Sequence, residues 1–191
     1  MLPTMEEAER ILEESNAMNP GPWRDHSRMV AFCAERIAAH CAGLNPEKAY
    51  VLGLLHDIGR RFGATYMAHV VDGYRFLMSM GYDEAAKICV THSFADRNVD
   101  SYIGRRDVSE ADFALVQSMA EGGEYDDYDR LIQLCDSLAM ADGTIDLKAR
   151  MDDIEMRHGF YPAPKREMHY RLKEYFDGKA GMDLYGVLRV E

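Results

Sequence analysis

Basic charge is scarce in this chain. Its 191 residues carry 22 Lys and Arg against 33 Asp and Glu, a formal net charge of −11. A protein that grips a phosphate backbone needs a basic face, so a nucleic-acid polymer is not an expected partner. The deficit leaves room for a small phosphorylated ligand, because a bound cation and a few local arginines reverse the field inside one cleft. Long apolar runs are missing too, and none approaches the roughly 20 residues of a membrane-spanning helix. Residues 1–10 are acidic and amphipathic rather than basic and then apolar, so no secretory leader is expected. Cys33, Cys41, Cys89 and Cys135 form no Cys-x-x-Cys pair. In their apolar, helical contexts they read as reduced core thiols, and the protein as soluble and cytoplasmic with no membrane partner.

Strand signals are also absent. No stretch sustains a two-residue alternation, whereas nearly every segment repeats at the helical period, which makes the fold class all-α. Helices are expected over about 3–15, 25–41, 46–58, 65–80, 83–92, 109–119, 128–141, 144–157, 164–177 and 182–191. Punctuation supports several of these bounds. Asn19-Pro20-Gly21-Pro22 is a rigid turn, Asp25 suits an N-cap, Asn45-Pro46 a cap followed by a first-turn proline, and Gly81 a stop. Trp23 reads as a packing anchor. Residues 93–108 lose the period and read as a lid loop. With 47% hydrophobic and 29% charged residues, the 191-residue chain reads as one globular domain.

The informative stretch is 51–59, Val-Leu-Gly-Leu-Leu-His-Asp-Ile-Gly. The run 49–58 is apolar all round and has no face for water, so it belongs in the middle of a fold. His56 and Asp57 therefore lie in the core with no Lys or Arg ahead of them in the run. Two readings fit the pair: a hydrogen-bonded core histidine beside a capping aspartate, or two ligands of a metal ion. Neighbouring helix residues point about 100° apart, so one ion reaches both only near a helix end, which Gly59 would supply in left-handed geometry.

The rest of the chain weighs for the metal. His26, His69, His92 and Asp136 also fall on core-facing stripes, and with His56 and Asp57 they come from five predicted helices. Six such side chains are hard to satisfy one at a time, whereas a metal site in the core of a helical bundle satisfies them together. His40 shares the stripe of His26, but at 1.5 Å per residue it lies roughly 21 Å away and reads as surface or structural. His158 and His169 lie among polar residues and read as exposed.

The order His26, His56-Asp57, Asp136 resembles the HD-domain superfamily of metal-dependent phosphohydrolases, and His56-Asp57-Ile58-Gly59 matches its His-Asp-Ile-Gly variant. The resemblance covers roughly residues 22–140. It implies an HD-type bundle, with a core over about 22–141 and the helices of about 144–191 packed on it. It implies that His26, His56, Asp57 and Asp136 bind a divalent cation. His69, opening a His-x-x-x-Gly stretch, and His92, ending a helix, resemble the extra ligands of the binuclear branch, in which Asp57 would bridge two ions. Hydrolases of dinucleoside tetraphosphates and cyclic dinucleotides belong to that branch. The expected function is therefore hydrolysis of a small phosphorylated substrate, a nucleotide or dinucleotide, by metal-activated water, with one or two ions drawn from Fe, Mn, Co, Ni, Zn or Mg. Asp57 and Arg60 are the expected catalytic residues. Arg60 stands where many members have Lys, and Arg60, Arg61 and Arg97 are expected to hold phosphoryl oxygens. Asp72 could orient His69. A di-iron oxygenase and a ligand-sensing module without turnover are the alternatives.

Overall fold

The run with no polar face becomes the axis of the molecule. In a computed structural model, described here for residues 1–190, α3 (Pro46–Leu55) is capped by Asn45, whose side chain accepts from Lys48 N at 2.9 Å. Its residues from Val51 to Leu55 are all buried. α2 (Trp23–Ala38) lies so tightly against it that a Cβ on Gly53 would sit 2.9 Å from Ala31 Cα. α1 (Met5–Met18) packs on α3, and α4 (Ala68–Ser79) pairs with α5 (Asp83–Thr91). α6 (Glu110–Gly122) covers α5, and α7 (Asp127–Leu138), opened by an Asp126–Asp129 capping box, packs on both α2 and α3. α8 (Leu147–His158) and α9 (Ala163–Ala180) lean on α7, and the short α10 (Leu184–Leu188) on α2.

The fold is all-α. Ten α-helices and two 3₁₀ turns, Ile58–Phe62 and Val99–Ser101, account for the regular structure among the described residues, with one isolated bridge between Ala139 and Thr144. None of these helices is long and apolar enough to cross a membrane. All four cysteines are buried and unpaired, and burial pushes the Cys33 thiol up to about 12, which leaves it unreactive.

Several expectations are corrected. α2 begins at Trp23 with Pro22 at the cap position, so Asp25 sits inside the first turn rather than capping it. α3 ends at Leu55, and His56-Asp57 form the joint between it and the 3₁₀ turn. Gly59 takes no left-handed conformation. It is glycine because a Cβ there would lie 1.9 Å from the His69 carbonyl oxygen and 2.5 Å from Gly73 N, so the 3₁₀ turn and α4 touch backbone to backbone. Residues 93–108 are no free lid. Phe94 and Val99 are buried in a second small core with Met67, Val70, Val71, Val90, Val116 and Ala120. Asp107 accepts the backbone N–H groups of Tyr66 and Ala68 at 2.8 and 2.9 Å, which ties the segment to the start of α4. Glu191, in the last expected helix, lies outside the described residues.

Candidate metal centre

Each of the six His and Asp side chains reaches the same place by a different local device. His26 is in the first turn of α2, where the Pro-Gly-Pro turn and Trp23 set the entry; the indole N–H donates to Asn19 O at 2.9 Å. His56 and Asp57 occupy the break between α3 and the 3₁₀ turn, which lets two consecutive residues face one point. His69 is in the first turn of α4, His92 caps the end of α5, and Asp136 lies in the last turns of α7.

The rings of His26 and His56 are 5.3 Å apart, those of His56 and His92 4.9 Å, and those of His69 and His92 5.7 Å. Asp136 Oδ1 stands 2.9 Å from His26 Nε2 and 3.8 Å from His56 Nε2. Asp57 Oδ1 stands 3.1 Å from His69 Nε2 and 3.7 Å from His92 Nε2, while its Oδ2 meets Arg60 Nε at 2.5 Å. Three overlapping triads result, each with donor atoms within 4.8 Å of one another: His26, His56 and Asp57; His56, His92 and Asp136; Asp57, His69 and His92.

Hydrogen bonding fixes what these atoms offer. His56 Nδ1 faces Gly53 O at 2.7 Å, His92 Nδ1 faces Ile88 O at 3.1 Å, and His69 Nδ1 faces Tyr66 O. A carbonyl oxygen only accepts, so each Nδ1 donates and, in the neutral ring, each Nε2 presents a lone pair. His56 Nε2, His69 Nε2 and Asp57 Oδ1 are buried with no hydrogen-bond partner. The 3.1 Å contact between His69 Nε2 and Asp57 Oδ1 thus sets lone pair against lone pair. It repels unless a cation, either a further ring proton or a metal ion, lies between them. Four imidazoles and two carboxylates with orphaned buried acceptors fit a divalent metal. At His92 the Ser93 hydroxyl donates to Nε2 at 3.0 Å.

Charge tells the same story. Burial pushes the Asp57 carboxyl up, but Arg60, His69 and His56 outweigh it and hold the group well below the usual carboxylate range. Asp136 is likewise driven down, burial being outweighed by His26, His56 and His92. Burial holds the His56 ring below its ordinary value and pushes His92 down to about 3, so both rings favour the neutral form.

A family model of the HD domain matches residues 23–141. The chain belongs to the HD-domain family. That match covers every one of the six residues and places this HD-domain protein in the superfamily of metal-dependent phosphohydrolases. No individual curated protein and no solved structure matches it significantly.

The arginines divide. Arg60 lines a cavity of about 580 Å³ together with His26, Asp57, His69, His92 and Asp136, and Asn19 Nδ2 donates to its carbonyl at 2.6 Å. Arg61 turns away from that cavity, stacking on the Phe76 ring at 3.9 Å with Nη2 2.8 Å from Met18 Sδ. Arg97 also points elsewhere: its Nη2 donates to Glu121 O and Gly123 O at 3.0 and 2.5 Å, and it stacks on Tyr125. The segment carrying it is pinned by its own core, so the side chain serves the loop rather than the cleft. Asp72 does not orient His69, since that partner is the Tyr66 carbonyl. His40 and His158 are exposed, but His169 is 3% exposed and borders the cavity. Its signal was a stripe: Leu172 and Phe176, extended back at helical spacing, lead to His169 and Lys165, all four buried. Trp23, Tyr102 and Tyr161 also line the cavity, and no pattern in the sequence marks them for it.

Proposed function

We propose that this HD-domain protein hydrolyses a small phosphorylated substrate, a nucleotide or dinucleotide, with one or two divalent cations held by the six His and Asp residues. The observation that carries the reading is the set of buried, partnerless acceptors, His56 Nε2, His69 Nε2 and Asp57 Oδ1, aimed at one another beside a cleft. His26, His56, Asp57 and Asp136 would hold one cation, and His69 and His92 a second, with Asp57 between the two. A bound divalent ion supplies a water acidic enough to lose its proton near neutral pH and neutralises charge on phosphoryl oxygens.

The chain's own residues do the rest. Asp57 keeps its charge against burial, so the centre stays anionic and ready for a cation. Arg60, a third exposed and anchored over Asp57, offers its remaining N–H donors to non-bridging phosphoryl oxygens. Tyr102 and Trp23 wall the cleft against bulk water. In the net reaction the water oxygen bonds to phosphorus, and the bond from phosphorus to the leaving oxygen breaks. That oxygen leaves with the electron pair and takes up a proton.

The test pairs metal quantification with a hydrolysis panel of phosphomonoesters, dinucleoside polyphosphates and cyclic dinucleotides, on wild type and Asp57→Ala. Metal in the wild type, turnover of at least one substrate, and loss of both in Asp57→Ala are expected. Unchanged metal content and turnover in the variant would refute the reading. Oxygen consumption with bound iron and no phosphate release would replace it with the di-iron oxygenase.

A further inference from the structure

The cleft has a second wall that the family match does not cover. α8, α9 and the turn between them lie beyond residue 141, yet Arg150, Tyr161, Lys165 and His169 line the same cavity as Arg60 and His26, Asp57, His69, His92 and Asp136. Two of these four are cations with little to do where they are. Arg150 is 17% exposed, and its Nε is buried with no partner. Its Nη1 meets only the thioether of Met140 at 3.1 Å, a weak acceptor, and the Asp153 carboxylate at 3.9 Å. Lys165 is 9% exposed and spends one of its three donors, on Ser93 O at 2.8 Å.

The acidic groups acting on Lys165 are Asp96 and Asp136, and neither pairs with it directly. Asp136 is committed to His26, and Asp96 accepts from the Ser101 hydroxyl. Burial outweighs the pull of these two carboxylates and weakens the ammonium's hold on its proton, which an incoming anion would strengthen. Around these cations stand the Tyr161 side chain, 8% exposed, and His169, whose ring shares a hydrogen bond with Ser137 Oγ. A buried ammonium with no carboxylate in contact, as at Lys165, is costly, and the half-buried Arg150 guanidinium beside it has only the distant Asp153 as an anionic neighbour, so an arriving anion would satisfy both.

Size points the same way. A cavity of about 580 Å³ is far more than one phosphoryl group fills and falls within the roughly 300–1,000 Å³ of small-molecule sites. Arg60 and the His-Asp cluster account for the reacting phosphoryl, so the remaining space houses the leaving group.

We propose that Arg150 and Lys165 form an oxyanion subsite for the leaving group, so that preferred substrates carry a second phosphate or carboxylate beyond the scissile bond. This rests on the phosphohydrolase reading for the word substrate, but the subsite itself is testable without turnover. Tyr161 and His169 shape its wall.

The probes are propylphosphonate and propane-1,3-bisphosphonate, titrated calorimetrically into the purified full chain, alongside hydrolysis of the matching mono- and bisphosphate esters. Wild type is expected to bind the bisphosphonate about tenfold or more tightly than the monophosphonate, as charge-assisted hydrogen bonds from two cations require. That ratio is expected to fall toward one in Arg150→Gln and in Lys165→Met. The two residues sit on different helices, so if one variant fails to fold by circular dichroism the other decides. Equal affinities in wild type, or an undiminished ratio in the folded variants, overturns the subsite. Hydrolysis of phosphate esters with no preference for the second anion overturns it while the hydrolase reading stands. A preserved binding ratio with no ester hydrolysed supports the subsite and removes the hydrolase reading instead. Carboxylate probes of equal length tell whether the second group must be a phosphate.

Discussion

Two buried aspartates in this protein have opposite surroundings. Asp129 is fully buried and fully answered: Lys87 Nζ donates at 2.6 Å, the Thr91 hydroxyl at 2.7 Å and Asp126 N at 2.8 Å. Asp57, 4% exposed, has Arg60 on one oxygen and only ring lone pairs facing the other. Both are carboxylates in a helical core, so burial alone does not mark function. Satisfaction does. A closed hydrogen-bond set serves the fold, here the start of α7 against α5, whereas an open one is kept for something that arrives later.

The sharpest way to break that contrast is exchange for alanine at each site. Asp57→Ala is expected to lose metal and to lower kcat/KM on any substrate found by about 10³-fold or more, since a metal supplies several kcal/mol at about 1.4 kcal/mol per tenfold. Asp129→Ala leaves Lys87, a third exposed, free to reach water, but it strands the Thr91 hydroxyl and Asp126 N. We expect a loss of about 3 kcal/mol, or roughly 6–12 °C in Tm, with metal content retained. Thermal melts and metal analysis on both variants decide. Equal metal loss from the two would erase the distinction.

Gly59→Ala sharpens the contrast from the side of geometry. The added methyl meets the His69 carbonyl, so the 3₁₀ turn and α4 must part, carrying Asp57 away from His69. A loss of about 1–3 kcal/mol in a melt is expected, with metal affinity falling more than that of a variant equally destabilised at Asp129.

A further effect is in pH, and it appears only on the acid side. Burial, chiefly, pushes His92 and His169 down to about 3 in the folded chain from the ordinary 6.5. Between those values the unfolded chain binds more protons, so stability is present above about pH 6.5 and drains away as pH falls toward 3. In metal-free protein, His169→Gln should flatten the acid side of a Tm-against-pH curve without removing it, because His92 remains. An unchanged slope would show that His169 titrates alike folded and unfolded.

What could be read beforehand was set by periodicity. The helices, the central position of α3, and the convergence of His26, His56, Asp57, His69, His92 and Asp136 all follow from residues lying on apolar stripes, a property local to each helix. Contacts made across the chain were not legible. Gly59 looked like a helix stop because glycine usually ends helices, and only the packing of α4 shows that it admits a carbonyl. Arg61 follows the His56–Gly59 motif and Arg97 follows His92 in sequence, but the rings of Phe76 and Tyr125 draw them elsewhere. Lys165 and His169 were the reverse case: polar neighbours hid the fact that their own stripe turns inward.

Three imidazoles are tied at Nδ1 to backbone carbonyls three or four residues earlier in the chain. A ring held at its far nitrogen cannot swing, so its torsional freedom is surrendered when the chain folds, before any ion could be captured. Capture of an ion would then need little rearrangement, and selectivity among ions would come from the fixed span of the socket rather than from adjustment. An ion of the wrong radius would have to strain helices rather than rotate side chains.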